Sequence, residues 1–248
     1  MKLKNSKKII LITMALFVFM IVYKPLINLC LPGLDSDVKT IIRKALQAIT
    51  IILYVTKLKW WHNIGSLKRI SLKSLHLLLP VILLSVIPLV NGIKQKSASG
   101  IILLIGTSLL IGIIEEFYFR GVIFFALKPE GKKSAILISS MLFGIVHLLN
   151  LTGGADIIDT LFQMVFAFGI GLIMAVVRYE TDLLLPQILV HALWDFNFSM
   201  AKTDFSLMLD TIHSISILLV IVWGIYLTYK ALKRKEIKDI FEQSIRIE

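Results

Sequence analysis

Residues 100–127 read GIILLIGTSLLIGIIEEFYFRGVIFFAL. The first fifteen positions contain nothing more polar than Thr107 and Ser108, and as a helix rising 1.5 Å per residue the stretch reaches roughly 42 Å, past the ~30 Å of hydrocarbon in a bilayer. This is a transmembrane pattern, and Glu115, Glu116 and Arg120 lie inside it.

Outward from this run the rest of the chain behaves alike. Of 248 residues, 57% are hydrophobic and 17% charged, against about 25% charged in soluble domains. The apolar residues fall in continuous runs, which suits lipid-spanning helices that satisfy their own backbone. Spans are expected near 9–31, 38–55, 75–92, 100–127, 134–149, 160–177, 183–200 and 214–229, an all-α polytopic bundle of about eight crossings. The second opens on Arg43 and Lys44, placed at a helix edge, and the fifth is short.

An even count puts both termini on one face, and charge chooses the face. Segments 1–8, 57–73, 128–133, 178–182 and 230–248 hold 19 of the 27 Lys and Arg residues. The intervening loops carry chiefly Lys39, Lys94, Lys96 and Lys202. By the positive-inside rule the chain is N-in and C-in. The net charge of +11 therefore reads as a topology signal, and nucleic acid is not an expected partner. Trp60, Trp61 and His62 among the basic residues of 57–73 predict a headgroup-level anchor in the lipid bilayer. Cys30 stands alone, which excludes an intrachain disulfide and a cysteine-rich metal site.

Ionisable residues within spans cost about 2.5–3.5 kcal/mol each near a helix centre, so each needs a reason. Four-residue spacing places Glu116 one turn from Arg120 and predicts an ion pair. Glu115 points about 100° away and is the freer carboxylate, with Gly112 one turn earlier expected to leave room beside it for water or a peptide backbone. His147 lies on a stripe with Ser140, Phe143 and Gly144. His191 and Asp195 continue a stripe of Gln187, His191, Asp195 and Ser199. Helical rise puts Glu115, His147, His191 and Asp195 roughly 13–21 Å from the inner helix ends, on three helices of alternating direction. Either charged pair alone reads as a structural contact. The full set, with a free carboxylate and a second histidine at one depth, reads as a site.

Glu-Glu-x-x-x-Arg at 115–120, Phe-x-x-x-His at 143–147 and His-x-x-x-Asp at 191–195 resemble, in order and helix placement, the three motifs of the CAAX-protease and bacteriocin-processing family. The resemblance divides the chain into a divergent three-helix region at 1–99, a catalytic core at 100–200, and a last helix with basic tail at 201–248. It implies an intramembrane endopeptidase of the bacterial plasma membrane acting on membrane-associated peptides or proteins. Glu115 and His147 would be its direct catalytic residues, with His191 and Asp195 in support and Glu116 and Arg120 holding the site. Asp195 stands where Ras-converting members carry Asn, and an ionised Asp cannot donate to an oxyanion. This weakens the transfer of the prenyl-protein substrate to this chain. Two mechanisms fit the residues: Glu115 as general base without metal, or zinc held by His147 and His191 with a carboxylate. Intramembrane Glu, His and Arg also suit an ion- or proton-coupled transporter, and a non-catalytic immunity or scaffold protein would share the fold.

Overall fold

The computed structural model describes residues 6–202 and 207–245. Lys2, Lys4 and Arg246 of the terminal basic clusters lie outside them. Among the described residues every regular element is helical, and the only strand-like pairings are single bridges, Ser66 with Leu183 and Ile93 with Ala201.

The helices are α1 (Ser6–Phe19), α2 (Tyr23–Cys30), α3 (Ser36–Leu58), α4 (Leu72–Leu84), α5 (Ala98–Glu116), α6 (Phe124–Leu127), α7 (Lys132–Ile145), α8 (Ile157–Thr181), α9 (Leu185–Met200) and α10 (Leu207–Ile245). Local chemistry sets several starts. Asp35 accepts from the amides of Asp37 and Val38 to cap α3, a reciprocal Ser71/Ser74 box opens α4, and Asp156 caps α8. The expected single span at 100–127 is interrupted: a π-helical turn at Phe117–Ile123 joins α5 to α6. All seven residues of that turn are buried, as is common where a helix widens at a functional site.

α8 packs against α4, α7 and α10, while α5 packs between α3 and α9. Large exposed apolar side chains such as Leu11, Leu83, Phe162 and Leu218 cover the outside, the surface a bilayer would contact. Among the described residues, six helical stretches are long and apolar enough to cross a membrane. The second and seventh expected spans do not meet both criteria, because α3 carries Arg43 and Lys44 near its middle and α9 has 16 residues. Both are nonetheless embedded in the bundle, and either count is even.

The loops sort into two ends. At one end Arg178, fully buried, donates to the carbonyls of Asn63 (2.8 Å), Ile64 (3.2 Å) and Arg120 (3.2 Å) and pairs with Asp182. Lys73 meets Glu180 at 2.7 Å and Lys128 meets Asp182 at 3.3 Å. Burial pushes the Asp182 carboxyl up, but the hydrogen bond and charge of Arg178, with Lys128, hold it below the ordinary carboxylate range. The contribution of this clasp is thus complete above the unfolded-state range and is lost as pH falls through the lowered value. Segments 57–73, 128–133 and 178–182 therefore share one face. At the other end Lys94 N donates to Met200 O at 2.8 Å and Lys202 N to Gly92 O at 2.9 Å.

The Trp60 to His62 segment departs from the expected anchor. Trp60 is buried edge-on against Phe125, with centroids 4.8 Å apart, which leaves Trp61 and His62 exposed to meet headgroups. The buried Arg178 draws the loop carbonyls inward and takes Trp60 with them. In a Cys30→Ser background, a membrane-impermeant thiol reagent added outside intact cells should label Gln95→Cys and spare Lys133→Cys. The reverse pattern would place the basic loops outside.

Candidate active site

Close approach of α5 to α9 builds the site. A Cβ added at Gly112 would lie 2.7 Å from the Ile188 carbonyl oxygen and 3.6 Å from the His191 Cβ. The space expected beside Gly112 for water or substrate is therefore filled by the α9 backbone. A small residue at the crossing lets helices touch, and here it delivers His191 to the glutamates. Gly144 does the same for α7 and α8, where an added Cβ would lie 2.9 Å from Met164 O.

The pair predicted from four-residue spacing forms: Arg120 Nη1 donates to Glu116 Oε1 at 3.2 Å, both side chains being fully buried. The Arg120 guanidinium also lies over the Phe143 ring, 4.0 Å from its centroid, a cation–π contact that shelters a charge without water. Glu116 Oε1 further accepts from His191 Nδ1 at 2.9 Å. Arg120, Glu116 and His191 thus form one continuous chain across α5, the π turn and α9.

His191 turns its other nitrogen toward two more carboxylates. Nε2 lies 3.6 Å from Glu115 Oε2 and 3.8 Å from Asp195 Oδ2. These separations are longer than direct hydrogen bonds and leave room for adjustment. The Glu115 side chain is 16% exposed, so it alone of the two glutamates reaches the cavity beside it. His147 is fixed differently: its Nδ1 bonds the Phe143 carbonyl at 2.8 Å. A carbonyl only accepts, so Nδ1 carries the proton and the neutral ring keeps a lone pair at Nε2. Phe143 stands between the two imidazoles, 5.2 Å from His147 and 5.9 Å from His191.

Glu115 and His147 line one cavity of about 570 Å³, large enough for a peptide segment. Its rim comes from the segment after α7, including Asn150, Thr152 and Ala155, and from Lys24 on α2. No residue of 57–73, 128–133 or 178–182 lines it, so it opens at the end away from the basic loops.

Two lining residues were misplaced by sequence reasoning. Arg43 and Lys44 sit about two turns inside α3, not at its edge, and with Gln47 they form the wall shared with Glu115. Thr40, Arg43, Lys44 and Gln47 recur at helical spacing, and that polar stripe was the available signal.

Among the described residues no three His, Cys, Asp or Glu side chains are grouped as metal ligands. His147 Nδ1 is engaged by a backbone carbonyl and His191 Nδ1 by Glu116, so Nε2 is the nitrogen each ring presents to the site.

Residues 97–197 match the family model of type II CAAX prenyl endopeptidase Rce1-like proteins. No curated protein matches the chain significantly. Arg120→Ala should lower stability by about 3–5 kcal/mol, because it strands the buried Glu116 carboxylate. Reversible unfolding in mixed micelles measures this, and wild-type stability would remove the supporting role of the pair.

Proposed function

We propose, from the premise that residues 97–197 belong to the CAAX-protease family, that this chain is an intramembrane endopeptidase in which Glu115 activates the attacking water. The observation that carries the reading is the contrast between adjacent glutamates. Glu116 is consumed by Arg120 and His191, while Glu115 faces the cavity that also holds His147.

The chemistry follows from these placements. A carboxylate at Glu115 takes a proton from water while the His147 Nε2 lone pair accepts the second O–H and orients it. The oxygen attacks the peptide carbonyl. His191, in its imidazolium form and anchored through Nδ1 on Glu116, donates from Nε2 to the developing oxyanion, with Asp195 favouring that charge. The tetrahedral species then collapses: the C–N bond breaks as the proton held by Glu115 passes to the departing nitrogen, giving an amine and a carboxylic acid that keeps the second proton of the water. No step requires a metal.

With the basic loops in the cytoplasm, the cavity mouth meets the opposite face of the membrane. The substrate is then a membrane-associated peptide or protein presented from that face, in a bacterial plasma membrane. The region 1–99 is part of the working site, since α2 and α3 supply one wall of the cavity.

Glu115→Gln keeps size and hydrogen bonding but deletes the base, and should reduce single-turnover peptide cleavage by about 100- to 10,000-fold with thermal stability retained. His147→Ala should lose rate similarly. Wild-type turnover from folded Glu115→Gln protein would exclude this carboxylate, and chelator-sensitive, zinc-restored cleavage would overturn the metal-free mechanism.

A further inference from the structure

The wall facing Glu115 holds more positive charge than catalysis by Glu115 and His147 uses. Lys24, Arg43 and Lys44 all line the cavity, and Glu115 is the only carboxylate residue among its lining. Among the described residues none of the three cations has an ion-pair partner within 4 Å: the pairs run through Lys73, Arg120, Lys128, Lys132, Arg178 and His191. Arg43 Nε is buried without a hydrogen-bond acceptor. Arg120 Nε and Nη2 are likewise without an acceptor, but there a carboxylate faces the guanidinium: Arg120 pairs with Glu116, as Arg178 does with Asp182. Lys24 is exposed at the mouth and Lys44 shares the cavity with Glu115, but a guanidinium nitrogen buried without an acceptor, as in Arg43, is costly unless something anionic joins it.

We propose that Lys24, Arg43 and Lys44 form an anion subsite that holds a carboxylate of the substrate peptide, either its C-terminus or an acidic side chain. This rests on the assignment of the cavity to a peptide. A carboxylate suits the wall because a guanidinium and two ammonium groups give charge-assisted donors with no competing acceptor among them. The three residues lie on α2 and α3, outside the 97–197 match, so the segment preceding the core would set selectivity while the core supplies the reaction. A lipid phosphate could satisfy the same cations, but they share a cavity with Glu115 and His147, where the scissile peptide must lie.

Equilibrium binding distinguishes these outcomes without depending on cleavage. The full chain, in nanodiscs of zwitterionic lipid, is titrated with fluorescent peptides of one apolar sequence. One has a free C-terminal carboxylate, one is amidated, and one is amidated with an internal Glu; a fourth carries Gln in place of that Glu. Charged hydrogen bonds of ordinary strength predict that one carboxylate form binds roughly 10- to 100-fold tighter than its neutral partner. The acid and amide pair identifies a terminal source, and the Glu and Gln pair an internal one. Arg43→Gln and Lys24→Gln should collapse the ratio, and Arg43→Lys should restore part of it. Variants that do not fold are detected by their melting profiles, and the wild-type ratio still decides. Equal binding of all four peptides overturns the subsite. Loss of carboxylate preference on replacing Arg43 by Lys but not by Gln would also contradict it. Peptide binding that ignores carboxylates while anionic lipid protects Arg43 from a guanidine-directed reagent would assign the wall to lipid instead. A carboxylate preference without turnover would leave the subsite standing and remove the protease reading.

Discussion

Glu116 accepts from both Arg120 and His191 through one oxygen, and the remaining features of the site are arranged around that contact. Neither Glu116 nor Arg120 meets solvent. In such surroundings a lone charge is far costlier than a paired one, so each partner restricts where the other can stand. The third member, His191, belongs to a different helix, which makes the contact a constraint on how α5 and α9 meet. With His191 held by Nδ1, its Nε2 is turned toward the side of the site where Glu115 and Asp195 lie.

Packing makes this electrostatic arrangement reachable. Gly112 removes the side chain that would keep α9 away, and the π turn at Phe117–Ile123 reorients the chain just after the glutamates. The carbonyl of Arg120 is met by Arg178, so a single residue connects the Arg120, Glu116 and His191 chain to the basic-loop end of the molecule. The cavity lies toward the other end, where the segment after α7 and the cationic residues of α2 and α3 frame it. The paired charges of Arg178 and Asp182 thus lie toward one face, and the Glu115 carboxylate is left open toward the other.

Much of this was legible in the residues. Long apolar runs fixed the helical class, and four-residue spacing identified the Glu116 and Arg120 pair because helical geometry brings such positions together whatever the tertiary fold. The separate direction of Glu115 followed from the same geometry. What spacing could not reveal was which helices touch. A glycine beside a carboxylate reads equally as a void or a crossing, and Gly112 is a crossing. Arg43 and Lys44 looked like a boundary because charge commonly ends an apolar run; here α3 continues through them and turns them inward. Trp60 carried the composition of an interfacial anchor, but a buried arginine 118 positions later draws its loop into the core. The π turn left no periodic trace, since one surplus residue is invisible in an apolar sequence.

The claim that Glu116 links the two helices is tested most directly by a double-mutant cycle of Glu116→Gln and His191→Gln, read as reversible unfolding free energy in mixed micelles. A contact of this kind predicts a coupling of about 1–3 kcal/mol between the two substitutions. Losses that add to within about 0.5 kcal/mol would show that the two residues act independently, and the account of how α5 and α9 are joined would fail.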